Sequence, residues 1–311
     1  MHENATTDRT KTHGCMSFAW RLLIAEPAYE VQIMLAVLHA IAWQLAVRRL
    51  AVGFISPWIN RQPWARVYKR RSHDTLTNGY GVRFKDEAAA FNFSSLFAAF
   101  VAIHLVGGVL CIPSLLFGQT PVTTALAAQG SLIECGWEAS DLAVRAWQLC
   151  GFEGQAGRDI NPPALVFFAV CHHVMGVSMI LPMNVYFRSS RDYHEMVWLL
   201  QFGAVISFYA QAYGFTLDVT TREGLGSMRR AVAWTFVSVL WGRGIRYVVI
   251  GARLLDTIKG TEHEMMWQGG VVGLSLMGLF NIVVVVDTCR KLWKFSVRTP
   301  MPLVSRVDKD N

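Results

Sequence analysis

Residues 163 to 187 form an apolar run long enough to cross a bilayer, and two adjacent histidines, His172 and His173, sit in its middle. A bilayer core is spanned by about 20 apolar helical residues, so the run predicts a transmembrane helix. An ionisable side chain at that depth costs roughly 2.5 kcal/mol or more unless a partner or a water-filled cavity receives it. Two such side chains therefore need partners inside the fold.

The apolar pattern recurs at 31–47, 92–116, 195–217, 231–251 and 269–288. Of the 311 residues, 53% are hydrophobic and 16% are charged, against about 25% charged in soluble domains. This predicts an all-α polytopic membrane bundle over about 31–295, with polar tails at 1–30 and 296–311. Residues 50–58 (LAVGFISPW) are apolar but short and are expected at the membrane interface. Residues 118–162 read in two ways. They form either a polar-lined span over about 124–150 or a lumenal loop with amphipathic helices, because they carry Glu134, Glu138, Asp141 and Arg145.

Charge separates six spans from seven. The stretch 48–90 holds nine Lys/Arg against three Asp/Glu, which assigns it to the cytosol. With seven spans, Arg222, Arg229, Arg230 and the RKLWK run at 290–294 share that side, and only Arg188 and Arg191 do not. With six, two basic clusters change sides. Seven is favoured. The net charge of +7 fits loops facing anionic lipid; no basic domain for nucleic acid is present. The six cysteines form no CxxC motif or Cys/His cluster, so no metal site is expected. Cys135 and Cys150 either pair in an oxidising lumen or remain free thiols. The N-terminus lacks a signal-peptide pattern, and the C-terminus matches no retention or lipidation signal.

His172 and His173 project about 100° apart on a helix. One can face a cavity while the other bonds a neighbouring helix. They serve either as acid/base or nucleophilic groups or as interhelical hydrogen-bonding groups. Asp141 is the natural carboxylate partner; its alternative partner is Arg145, four residues on. Asn184 falls on nearly the same face as His173, and Gln211 and Asp218 share a face. His104 sits near the centre of the 92–116 span. Haem is not expected: His39 and His104 are single, and 172/173 are adjacent rather than spaced by turns.

An ordered set of motifs resembles the TLC-domain family, which includes the ceramide synthases and TRAM-like membrane proteins. Ser56–Pro57–Trp58 is followed by Arg66–Val67–Tyr68–Lys69–Arg70. Then come Gly136–Trp137–Glu138–Ala139–Ser140–Asp141, the pair His172–His173, and Leu279–Phe280–Asn281 running into Lys291–Leu292–Trp293–Lys294. The resemblance covers about 30–295. It implies a multi-pass protein of the endoplasmic reticulum that handles membrane lipid. By that resemblance His172, His173 and Asp141 are candidate catalytic residues, with Asn184, Gln211, Asp218 and His104 around the substrate. The chain departs from the ceramide synthases after the His pair. Their His-Asp-x-Ser-Asp string is missing from YGFTLDVTTREG, where Asp218 alone is similar.

Three functions follow. The first is a lipid-binding membrane protein without an obligatory cofactor. The second is a lipid N- or O-acyltransferase with acyl-CoA as co-substrate. The third is an accessory subunit whose small residues (Gly107, Gly108, Gly269, Gly270, Gly273) pack against other membrane subunits.

Overall fold

The computed structural model describes residues 18–300, and no strand occurs among them. The signal-peptide, Cys15 and C-terminal-signal expectations fall on 1–17 and 301–311, outside the described residues. The helices are α1 Phe18–Leu23, α2 Tyr29–Arg48, α3 Ser56–Asn60, α4 Ala65–Asp74, α5 Glu87–Phe117, α6 Pro121–Leu149, α7 Gly154–Asp159, α8 Pro163–Tyr186, α9 Arg191–Thr216, α10 Arg222–Val239, α11 Tyr247–Lys259 and α12 Glu264–Val297. A π-helical segment, Arg49–Ile55, joins α2 to α3, and another, Leu240–Arg246, joins α10 to α11. Residues 50–58 thus continue helically from α2 into α3.

Local chemistry sets the boundaries. Asp86 caps α5 by accepting from the Ala89 amide at 2.7 Å. Gly118, at φ +85°, ends α5 in a conformation that favours glycine. Two residues on, Thr120 forms a reciprocal capping box with Thr123, with Pro121 in the first turn of α6. Ser190 and Thr221 cap α9 and α10 by accepting from the Tyr193 and Gly224 amides, without the return bond. Residues 118–162 form one long helix, α6, followed by the short α7, and α6 is not among the helices apolar enough to count as candidate spans.

Among the described residues, five helices are long and apolar enough to cross a membrane: Tyr29–Asn60, Glu87–Phe117, Pro163–Tyr186, Arg191–Thr216 and Glu264–Val297. Their outer faces are apolar. Ile33, Val37, Ile41 and Leu45 on α2, and Leu279, Ile282 and Val286 on α12, are exposed. The continuous α10–α11 rod exposes Trp234, Val237, Trp241, Ile245 and Val248 in the same way. α6 is different. It packs against α2, α5 and α8, and its Glu134, Glu138 and Asp141 face those neighbours rather than the surroundings.

Small residues permit the close approach. A Cβ on Gly136 of α6 would meet the α2 backbone at Ala36 and Ala40 at 2.7 Å. One on Gly130 would reach the Gly107 carbonyl of α5 at 2.5 Å. Gly107, Gly108, Gly270 and Gly273 are occupied by contacts within the chain, and Gly269 alone of the five faces open space.

Cross-bundle bonds define two ends. At one end the Arg71 guanidinium donates to the Leu217 carbonyl, Arg83 N–H donates to the Asp159 carbonyl, and Arg229 donates to the carbonyls of Phe295 and Arg298. Burial pushes Arg71 down to about 10. At the other end Arg188 donates to the carbonyls of Ile24 and Ala25, and Gln129 donates to Leu22. Arg188, on the minority side of the charge pattern, thus holds the α1–α2 turn. Residues 18–28, assigned to the polar tail from sequence, pack on α6 and α8 through Leu22 and Ala25.

Candidate functional site

Glu134, Glu138, Asp141 and Arg145 are spaced four, three and four residues apart, so α6 presents them as one stripe. The stripe meets three histidines. Glu134 Oε2 lies 2.9 Å from His104 Nδ1 of α5, whose ring stacks on Phe208. Glu138 Oε1 lies 3.6 Å from His172 Nε2 of α8, and Asp141 Oδ2 lies 3.1 Å from His173 Nδ1. Arg145 Nε donates to Asp141 at 2.6 Å, and its Nη1 donates to Asn161 at 2.8 Å. Asp141 therefore has both partners that the sequence offered as alternatives.

A second cation enters from the π-helical segment. The extra residue in such a turn re-aims side chains, and Gly242 and Gly244 flank Arg243. Arg243 is buried and donates to the Leu200 carbonyl at 3.0 Å and to Asn281 Oδ1 at 3.2 Å. Its guanidinium also lies over the Phe280 ring, on which His172 stacks at 4.8 Å. Three carboxylates face two guanidinium groups, leaving one negative charge for a proton or cation to balance when the histidines are neutral.

The stripe opens into a cavity of about 120 Å³ between α8, α9, α11 and α12. Its polar end is Glu134, Glu138, His172 and Gln201; the remainder is lined chiefly by Met175, Met179, Met183, Met196, Met277 and Leu254. Among the described residues, Glu138 Oε2, His172 Nδ1 and Gln201 Oε1 are buried without a hydrogen-bond partner. His172 faces the cavity, while His173 Nδ1 faces Asp141 of the neighbouring α6.

The other expected substrate residues lie elsewhere. Asn184 is not in the cavity wall. It donates to Gln32 Oε1 at 3.0 Å and accepts from Ser131 and Tyr193 hydroxyls, so its amide is committed to holding α2, α6, α8 and α9 together. Asp218 sits in the α9–α10 turn and accepts from the Thr220 hydroxyl at 2.6 Å and its amide at 3.0 Å. Those bonds hold its carboxyl below the usual range. Gln211 is on α9 outside the cavity wall, and His104 reaches the cavity only through Glu134. Sequence reasoning passed over Glu134, Glu138, Gln201 and Arg243. The four-three-four spacing on α6 was the signal for the first two.

Among the described residues, fold and site define an all-helical bundle with five helices long and apolar enough to cross a membrane and a cluster of ionisable groups within it. No family model matches the chain, and no curated protein and no solved structure matches it significantly.

Proposed function

We propose that this is a multi-pass membrane protein that holds the apolar chain of an amphiphilic lipid in the cavity, with the lipid's polar end against Glu138 and His172. The observation that carries the reading is the cavity's two-part lining: unpartnered polar atoms at one end, methionines and leucines along the rest. From His172 to Met183 is eleven residues of α8, or about 16 Å of slot, enough for roughly a dozen extended carbons. The slot is narrower than the usual ligand cavity of about 300 Å³ or more. Its methionines have the torsional freedom to widen it. The ordered motifs resembling the TLC-domain family support the same reading. In this reading α6 and the α10–α11 rod also cross the membrane, and the basic end faces the cytosol.

The test is lipid mass spectrometry on the detergent-purified full chain. Gly273→Val should displace the lipid, because even a Cβ there would press on Met175. Gly278→Val on the same helix meets open space and should retain it. Equal lipid content in wild type, Gly273→Val and Gly278→Val would reject the cavity as the site.

One observation favours acyl transfer as a second reading. The Arg145–Asp141–His173 relay adjoins His172 at the cavity, which suits a general base for a lipid amine or hydroxyl. The same preparation incubated with acyl-CoA distinguishes the two. A product that requires His172 supports transfer, and bound lipid without turnover supports holding.

A further inference from the structure

The sequence offers no metal motif, yet the fold brings three donors together. We propose that Glu138, His172 and His173 form a divalent transition-metal site, with zinc as the best-suited ion.

One donor atom from each residue lies within 4.8 Å of the other two. A tetrahedral ion with bonds of about 2.1 Å holds its ligand atoms about 3.4 Å apart. Glu138 Oε1 and His172 Nε2, at 3.6 Å, are close to that separation already. The rest requires closure of about 1.4 Å or less, which side-chain rotation supplies.

The surroundings point to a ligand rather than to mutual pairing. Glu138 is 1% exposed, and its Oε2 has no hydrogen-bond partner among the described residues; neither has Nδ1 of His172. Buried carboxylates left in that state are costly, so an acceptor without a donor calls for a cation. His173 is oriented for the role. Its Nδ1 faces Asp141, which Arg145 fixes in turn. This is the carboxylate–histidine arrangement that sets the ring of a metal ligand and leaves Nε2 for the ion. Phe280 fixes the plane of the His172 ring by stacking.

Donor chemistry selects the ion. Two imidazoles and one carboxylate suit zinc and its neighbours. Calcium and magnesium favour six or more oxygen ligands, which this cluster does not provide. Three protein ligands leave a fourth position open. Glu138 and His172 both line the cavity, so the open position faces the slot, where an oxygen of a bound amphiphile or water would complete the shell. The metal site stands without the lipid reading; only the identity of the fourth ligand rests on it.

The experiment is metal analysis and cobalt titration of the full-length, untagged protein in detergent after chelation. Wild type should take up about one equivalent of Zn²⁺ or Co²⁺, the latter with the visible absorption of tetrahedral cobalt. E138Q and H172A should lose it. D141N should weaken affinity by about 10–100-fold. Thr220→Val, in the α9–α10 turn away from the cluster, should bind as wild type does. Wild-type protein that gives no tetrahedral cobalt spectrum overturns the proposal, whatever the variants do. So does a full equivalent of metal in monodisperse E138Q and H172A.

Discussion

Glu138 and Asn184 are both buried and polar, yet replacing them with apolar residues should move stability in opposite directions. Asn184 joins Gln32, Ser131 and Tyr193 through three hydrogen bonds. Interhelical bonds inside membrane proteins average about 0.6 kcal/mol each, so Asn184→Leu should cost about 2 kcal/mol. Leaving the Gln32 carbonyl unpaired adds to that. Glu138 has no such bonds, and its Oε2 is unpartnered. An unsatisfied buried group costs about 1–3 kcal/mol. Glu138→Met keeps the shape and removes the penalty, so the ligand-free protein should gain a similar amount. At roughly 2 °C per kcal/mol for a chain of this size, the expected change is about +2 to +6 °C for Glu138→Met and about −4 °C for Asn184→Leu. Thermal unfolding in detergent with EDTA, followed by tryptophan fluorescence, reads both. A lower midpoint for Glu138→Met under chelation would refute the reasoning, because it would mean that the carboxylate is satisfied within the chain.

Other perturbations follow from particular contacts. Gly136→Ala places a Cβ 2.7 Å from the α2 backbone; an overpacked contact of this kind costs about 1–3 kcal/mol, read as a lowered unfolding midpoint. Gly278→Ala, which meets nothing within 4 Å, should leave the midpoint unchanged in the same assay. Thr220→Val removes the hydroxyl bond that holds the Asp218 carboxyl low. A depressed folded value stabilises above the unfolded value of about 3.9 and is lost as pH falls through the folded one. The variant should therefore unfold earlier than wild type near neutral pH, and the difference should close in acid. Equal gaps at both pH values would show that the hydroxyl acts otherwise.

The helices were largely legible because the apolar runs are long. The runs at 163–187 and 195–217 became α8 Pro163–Tyr186 and α9 Arg191–Thr216 within a few residues. The region after Gly118 was not settled, because Glu134, Glu138 and Asp141 depress its apolarity whether they face lipid or protein. Hydropathy averages around the helix; only the four-three-four spacing shows that the charges share one side. The site was partly legible for the same reason. His173 meets Asp141, whereas His172 meets Glu138 instead, and Asn184 has the right helical phase and the wrong depth. It lies about 16 Å along α8 from the His pair, where it binds neighbouring helices. Arg243 was hidden by a π-helical segment, since a period of 3.6 residues does not give the direction of a side chain in a wider turn.

Unpartnered buried atoms on Glu138, His172 and Gln201 converge on one cavity, and that convergence favours a binding site over a packing role. If the intramembrane polar residues served only to join helices, each would resemble Asn184 or Gln32, whose amide also donates to the Ala25 and Glu26 carbonyls. Glu138, His172 and Gln201 instead carry unpartnered buried atoms, and all three line the same cavity. Other such atoms, on Thr77, His194, Trp198 and Gln211, lie outside the cavity wall and do not converge on it. A fold can retain the three cavity residues together only where something outside the chain completes them or where their removal costs function, because on stability alone an apolar replacement would be favoured. The opposite signs expected for Glu138→Met and Asn184→Leu restate that distinction as a measurement. If Glu138→Met is both more stable and unable to retain metal or lipid, the polar end of the cavity is held in place by binding rather than by folding.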